Sequence, residues 1–313
     1  MTAHARFRAL CLLLTLILLL VPQTACTANQ PTNPTDVYYT FLDDLGNEVT
    51  LAKKPQRVAV LFSSFADIWK SAGGTVDVTV GESVERGFAD ATALLVDKGA
   101  GKTIDTEALI AARPDFVICS ADVAAHLTCA ELLSRYGIAA ACFRVEAFAD
   151  YLRVLKICTE ITQRADLYQK NGIEVKERID GMLAALQGAN TQRVLFVRAS
   201  ATSVKAKLAS DHFAAAMLEE LGAYNIANDA SVLIDGISEE ILLEEDPHRI
   251  FVTFMGDEAG AKSALASNKV WQSLSAVKEQ RCHHLPKSLF QYKPNARWDE
   301  AYAYLIDLLY EKP

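Results

Sequence analysis

Basic side chains gather at a few points of this 313-residue chain: Arg198, Lys205 and Lys207, then Lys287, then Lys293 and Arg297 beside Tyr292 and Trp298. Guanidinium and ammonium groups pair with carboxylate, catecholate or phosphate oxygens, and aromatic rings wall in a ligand, so the grouping points to capture of an anionic small molecule. It stands against the charge of the whole. Residues 1–25 hold two arginines and no acid, which leaves 29 basic against 39 acidic side chains in the remainder, a formal charge of −10. That balance argues against nucleic acid as a partner. The structural alternative for Arg297 and Trp298 is that they open and pack the last helix.

Other chemistries fail on spacing. Gly99-Ala-Gly-Lys-Thr103 lacks the glycine a phosphate loop needs five positions before Gly101, where Val96 stands. His126, His283 and His284 have no third ligand at recognisable spacing, so neither a metal site nor a cofactor is expected. Ser, His and Asp occur without a Gly-x-Ser-x-Gly elbow or a comparable nucleophile setting. The chain is therefore read as a binding protein and not an enzyme, with an exported hydrolase as the reading from another class. Cys119, Cys129, Cys142, Cys158 and Cys282 form no CxxC pair and are odd in number, which suits small buried hydrophobes better than a disulfide framework.

The elements that must position the cations follow from hydrophobic period. Residues 37–51 alternate around Asp44-Leu45-Gly46-Asn47, a hairpin signal. Short apolar runs at 58–62, 76–80, 116–119 and 140–145 alternate with helical segments near 65–72, 105–112 and 122–136. After Arg193 the style resumes, with strands at 194–197, 250–254 and 282–285 and helices near 211–221, 238–245 and 295–310. Such βα alternation predicts parallel sheets covered by helices, in two lobes. The stretch from Glu107 through Pro114 to Ile118 aligns with that from Glu240 through Pro247 to Phe251, a local echo of duplication in which a helix ends before Pro and the chain enters a buried strand. Between the lobes, 148–186 carries helical apolar spacing without Pro and predicts a connecting helix of roughly 50 Å, with Asn171-Gly172 as a possible break. Open parallel sheets bind ligands beyond the carboxyl ends of their strands, which puts Arg198, Lys205 and Lys287 at the mouth of the second lobe. Their first-lobe partners would be Phe62, Ser63, Ser64 and Phe65 after one strand and Asp122 after another.

The beginning of the chain reads as an export signal. Arg6 and Arg8 precede an apolar run over 9–21, too short for a membrane span of about 20 residues, and Gln23-Thr24-Ala25 places small residues before Cys26. Lipidation of Cys26 is expected, with ordinary secretory cleavage nearby as the alternative. Residues 27–35 (TANQPTNPT) read as a polar, Pro-broken tether.

The lipoprotein start, the hairpin with Asp43, Gly46, Val49 and Leu51, PQRVAV at 55–60, the helix-Pro-strand around Pro114, the bridging helix and the closing YKPNARWDEAY at 292–302 together resemble the periplasmic-binding-protein family of iron-siderophore, haem and cobalamin ABC importers. The resemblance runs from about residue 37 to 311. It implies an α/β fold of two Rossmann-like parallel-sheet lobes on a long backbone helix, divided as signal 1–25, anchored tether 26–36, first lobe 37–146, bridge 147–188 and second lobe 189–313. It further implies a ligand between the lobes, small hinge motion, a role for Lys102 at the cleft mouth, and one acid per lobe docking on the permease: Asp67 in the first and Glu219, with Glu220 beside it, in the second. The expected protein is a monomeric, extracytoplasmic, membrane-anchored carrier serving an ABC permease dimer. A ferric siderophore or similar iron complex fits the cations and aromatics better than haem, whose iron would need Tyr292, His126 or Met255 as an axial donor; a haem- or cobalamin-binding protein of the same family is the alternative.

Overall fold

The structure, a computed structural model, describes residues 37–97, 103–186, 191–229 and 238–310. The expected signal and tether with Cys26, and Lys102, lie outside those residues. Alternating side chains fold the start of the described chain into β1 (Tyr39–Leu42) and β2 (Glu48–Leu51), an antiparallel pair. Asp43 organises the turn: its Oδ1 accepts the N–H groups of Leu45 (3.0 Å) and Asn47 (2.9 Å), and its Oδ2 accepts that of Cys142 (3.1 Å), which ties the hairpin to the first sheet. Gly46 takes the left-handed backbone (φ +80°) that the turn requires.

In the first lobe β3 (Val58–Val60), α1 (Ser63–Ser71), β4 (Val78–Thr79), α2 (Gly81–Glu85), β5 (Leu94–Leu95), α3 (Thr106–Ala111), β6 (Phe116–Ser120), α4 (Ala124–Arg135) and β7 (Ala139–Phe143) alternate along the chain. The five strands form one parallel sheet in the order β5-β4-β3-β6-β7. The second lobe has β8 (Arg193–Ala199), β9 (Val204–Ala206), α7 (Phe213–Glu220), β10 (Tyr224–Asn225), α8 (Glu239–Glu245), β11 (Arg249–Phe254), α9 (Glu258–Ser267), β12 (Cys282–His284) and α10 (Trp298–Tyr310), the labels α5 and α6 belonging to the bridge below. Its parallel strands run β10-β8-β11-β12, with β9 folded back antiparallel on β8.

The echo between the lobes is structural. β6 and β11 occupy the same place, beside β3 and β8 respectively, and each follows a helix and a proline. Arg113 (φ 51°) and Asp246 (φ 32°), immediately before Pro114 and Pro247, both end their helices in the left-handed region, because a residue before Pro is barred from continuing the helix.

The bridge departs from the expected rod. α5 (Phe148–Thr162) stops at Gln163, whose φ of 60° breaks the helix, and the chain restarts at Ala165–Tyr168, passes a π-helical turn at Gln169–Ile173 and continues as α6 (Glu174–Ala185). The break falls nine residues before Gly172, so the second helical run is about 30 Å long at 1.5 Å per residue. Gly172 instead serves a close approach: a Cβ there would meet Leu152 and Leu155 at 3.1 Å, and the Tyr151 hydroxyl donates to the Asn171 carbonyl (2.7 Å) across the same contact.

Strand side chains split by period 2 between layers. Val58, Val60, Val194, Phe196 and Phe251 face one cluster that includes Val154 and Ile157 of α5, Val175 and Ile179 of α6 and Trp298, Tyr302 and Leu305 of α10. Ala59 and Val117 face a separate core of the first lobe, and Leu195, Val197, Ile250 and Val252 one of the second. The lobes thus share a continuous apolar layer. Cys119, Cys129, Cys142 and Cys158 are buried, and the hydrogen bond with Cys142, then burial, raise the Cys119 thiol well above its ordinary value.

Candidate ligand cleft

A cavity of about 740 Å³ opens where the strands of both lobes end. From the first lobe come Phe62, Ser63 and Ser64 after β3, Gly81, Glu82, Glu85 and Arg86 after β4, and Val123 before α4; from the second come Arg198 near the end of β8 and Gln291, Tyr292 and Lys293 after the short helix Lys287–Phe290. An adjoining cavity of about 340 Å³ shares Arg198, Gln291 and Lys293 and continues along Glu146, Asp211, His212 and Phe213.

The first-lobe wall is internally bonded. Ser63 Oγ donates to Glu82 Oε2 (2.6 Å) and accepts from Arg86 Nη1 (2.8 Å). The Arg86 guanidinium then lies 3.7 Å from the centroid of Tyr292, a cation–π contact that reaches the other lobe, with Phe88 at 4.7 Å. Burial holds Arg86 below its ordinary pKa, opposed by Glu82, Tyr292 and Asp67. Below β4, Thr79 Oγ1 donates to the Val60 carbonyl (2.8 Å), and the Gly81 N–H donates to Asp97 Oδ1 (3.0 Å), fixing α2 at the rim.

The second-lobe wall is cationic. The Lys293 ammonium sits 4.6 Å from the Phe213 ring centroid; burial lowers its pKa, and Glu146, Asp122 and Asp150 pull it back up. His212 lies between Phe196 (4.8 Å) and Phe213 (4.9 Å), its Nδ1 accepting the Ala214 N–H (3.2 Å) at the start of α7. Burial, then Lys293, Arg198 and Lys207, push its pKa down to about 3, so it is neutral at pH 7.

Of the residues expected in the cleft, Ser63, Ser64, Arg198 and Tyr292 line it, as does Phe62. Phe65 does not; it is core, its ring tilted against those of Phe62 and Phe143, because helical spacing turns it inward from α1. Trp298 is only 1% exposed and packs edge-on against Phe148 and Phe213, so its indole builds the shared layer and not the cleft. Arg297 folds onto Glu300 (2.7 Å) one turn ahead, Asp122 pairs with Arg144 (2.5 Å), and Lys205 is exposed on β9 opposite Arg198. Lys287 stays outside the wall with its ammonium 5.1 Å from the Tyr292 ring. His126 is fully buried and its Nδ1 accepts the Ser120 N–H (3.1 Å), while Met255 is 46% exposed and outside the lining.

Asp67 faces inward. Asn295, 0% exposed and left-handed (φ 52°), donates through Nδ2 to Asp67 Oδ2 (2.8 Å) and to the Ser64 carbonyl (3.0 Å), joining the lobes beside the cleft. Burial raises the Asp67 pKa, against the Asn295 bond and Arg86, Lys70 and Arg297. Glu219 is half-buried and accepts from Asn228 Nδ2 (2.9 Å), while Glu220 is exposed and accepts from the Tyr302 hydroxyl. Glu82, Glu85, Arg86 and Asp97 were not anticipated. The expected strand at 76–80 ends just before Gly81, and the rule that sites lie at strand ends would have led to Glu82, Glu85 and Arg86; Asp97 follows β5, which was not among the expected strands.

Two lobes of parallel sheet on a shared helical layer, with a cleft at their strand ends, define a solute-binding protein. The model of the periplasmic binding protein family matches residues 58–289, and the chain belongs to that family of extracytoplasmic solute-binding proteins that serve ABC importers. No curated protein matches it. Among solved structures, a possible iron-binding periplasmic solute-binding protein of Staphylococcus epidermidis is 18% identical, with 83% of this chain and 100% of that one covered and a TM-score of 0.68. Staphylococcus aureus SirA complexed with staphyloferrin B is 18% identical (87% and 97% covered, TM-score 0.62). S. aureus IsdE complexed with haem is 13% identical (82% and 99% covered, TM-score 0.66). At such identities the likeness is one of fold.

Proposed function

We propose that this protein captures a ferric siderophore in the interlobe cleft and hands it to an ABC permease, held outside the cytoplasmic membrane by lipid on Cys26 and acting as a monomer without catalysis. The observation that carries the reading is a 740 Å³ cavity walled by Phe62 and Tyr292 and bearing Arg198 and Lys293 on one side. Those groups bind the anionic oxygens and flat rings of a chelate without bonding the iron. SirA with its bound staphyloferrin B supports the same reading. Haem is the second reading, favoured by Tyr292 in the wall and by IsdE with its bound haem. Titration of the purified protein with ferric catecholate, hydroxamate and carboxylate complexes and with haem, followed by fluorescence quenching, tests it. A ferric siderophore is expected to saturate the protein. A Soret shift abolished by Tyr292→Phe, with no response to any ferric siderophore, would reverse the choice. For docking, Glu219 remains the second-lobe acid of the proposal; Asp67 would have to act beside its bond to Asn295.

A further inference from the structure

The walls of the cleft differ in sign, and on the siderophore reading that difference narrows the cargo. The first lobe brings Glu82, Glu85 and Asp97 to the cavity against Arg86, whereas the second brings Arg198 and Lys293 and, among the described residues lining this cavity, no acid. Arg86 is already engaged, bonded to the Ser63 hydroxyl that Glu82 also holds and stacked on Tyr292. It offsets one carboxylate, and of the pair on this short helix the exposed Glu85 lies outside that network, so the helix Gly81–Glu85 presents acid to the cavity among the described residues. A complex with negative charge spread over its whole surface would satisfy Arg198 and Lys293 and bring like charge against Glu82 and Glu85, which costs affinity.

We propose that the cleft selects a bipolar ferric complex, with its oxygen-rich anionic pole on Arg198 and Lys293 and a pole bearing an ammonium or comparable cationic donor on Glu82 and Glu85. The test titrates the protein with three ferric complexes: an anionic mixed carboxylate–hydroxamate chelate carrying a free terminal ammonium, the same compound N-acetylated, and a tris-catecholate. The ammonium complex is expected to bind about tenfold tighter than the acetylated one, since one charge pair at partly exposed distances is worth roughly that factor. The tris-catecholate should bind more weakly than either. Glu82→Gln with Glu85→Gln, checked for folding by thermal unfolding, should shrink the ratio to about twofold or less, and Glu85→Gln alone, outside the Ser63 network, should cut it by about threefold. Equal affinity for the ammonium and acetylated forms, a preference untouched by either variant, or a tris-catecholate that binds tightest overturns the bipolar assignment while the siderophore reading stands. Failure of every ferric complex to bind overturns both.

Discussion

The two faces of the cleft share one equivalent strand end, β3 matching β8, yet solve different problems. The first-lobe face, after β3 and β4, binds its charges to one another through Ser63, Glu82 and Arg86, and so presents a pre-organised polar wall. The second-lobe face, after β8 and the helix Lys287–Phe290, brings Arg198 and Lys293 to the cavity, and the neighbouring His212 is held neutral by burial, with the same positive field adding to it. Two sheets of one kind thus bring loops to a common cavity without sharing electrostatics, because the sheet determines where loops emerge and the loop residues determine charge.

The largest test of that contrast removes the cations. Arg198→Ala combined with Lys293→Ala should weaken the proposed ferric complex by roughly 2 to 5 kcal/mol, since truncation strands anionic charge in a partly desolvated site. An unchanged titration would mean that the second-lobe face does not hold the ligand. Next comes pH. The His212 pKa is lowered to about 3 in the folded protein against 6.5 in the unfolded chain, so its contribution is present above pH 6.5 and is lost as pH falls, by roughly 1.4 kcal/mol per unit down to about pH 3. His212→Asn, which keeps a capping side chain, should flatten this part of the stability profile in chemical denaturation; identical profiles would refute the assignment.

The contact between the faces offers a middle-sized effect. Asn295→Gly retains the left-handed backbone but loses the bonds to Ser64 and Asp67, and should cost about 1 to 3 kcal/mol of unfolding free energy through the stranded partners. A cost below about 0.5 kcal/mol would show that the lobes are held by the apolar layer alone. Outside the cleft, Glu219→Lys should lower uptake in cells while ligand affinity stays within about 1 kcal/mol of wild type, and normal uptake would remove Glu219 from the docking proposal. The smallest expected change is that of Arg297→Ala. Paired with Glu300 and outside the wall, it should shift ligand affinity by less than about 0.5 kcal/mol.

Much of the architecture was legible along the chain. Short continuous apolar runs at 58–62 and 194–197 and the prolines at 114 and 247 mark strands and helix ends by local sterics and burial, and the observed elements follow them closely. The bridge was less so: Gln163, which breaks the helix, carries no glycine or proline signal, and only packing of α5 against Gly172 gives the left-handed turn its reason. The cleft divides in the same way. Ser63, Ser64 and Arg198 line the cavity because they lie at the end of a strand, a property of sequence order. Trp298, Arg297 and Phe65 were misplaced because the face a helical side chain takes depends on what lies across from it: Trp298 is drawn into the layer between Phe148 and Phe213, and Arg297 is left beside Glu300. Sequence alone determined most of the elements and the charge, since these rest on local period and composition, and its motifs carried the resemblance to the family. Tertiary structure alone decided which acids oppose which cations across the cleft and that Asp67 turns toward Asn295, since those partners lie more than a hundred residues apart and meet only when the lobes close over a common core.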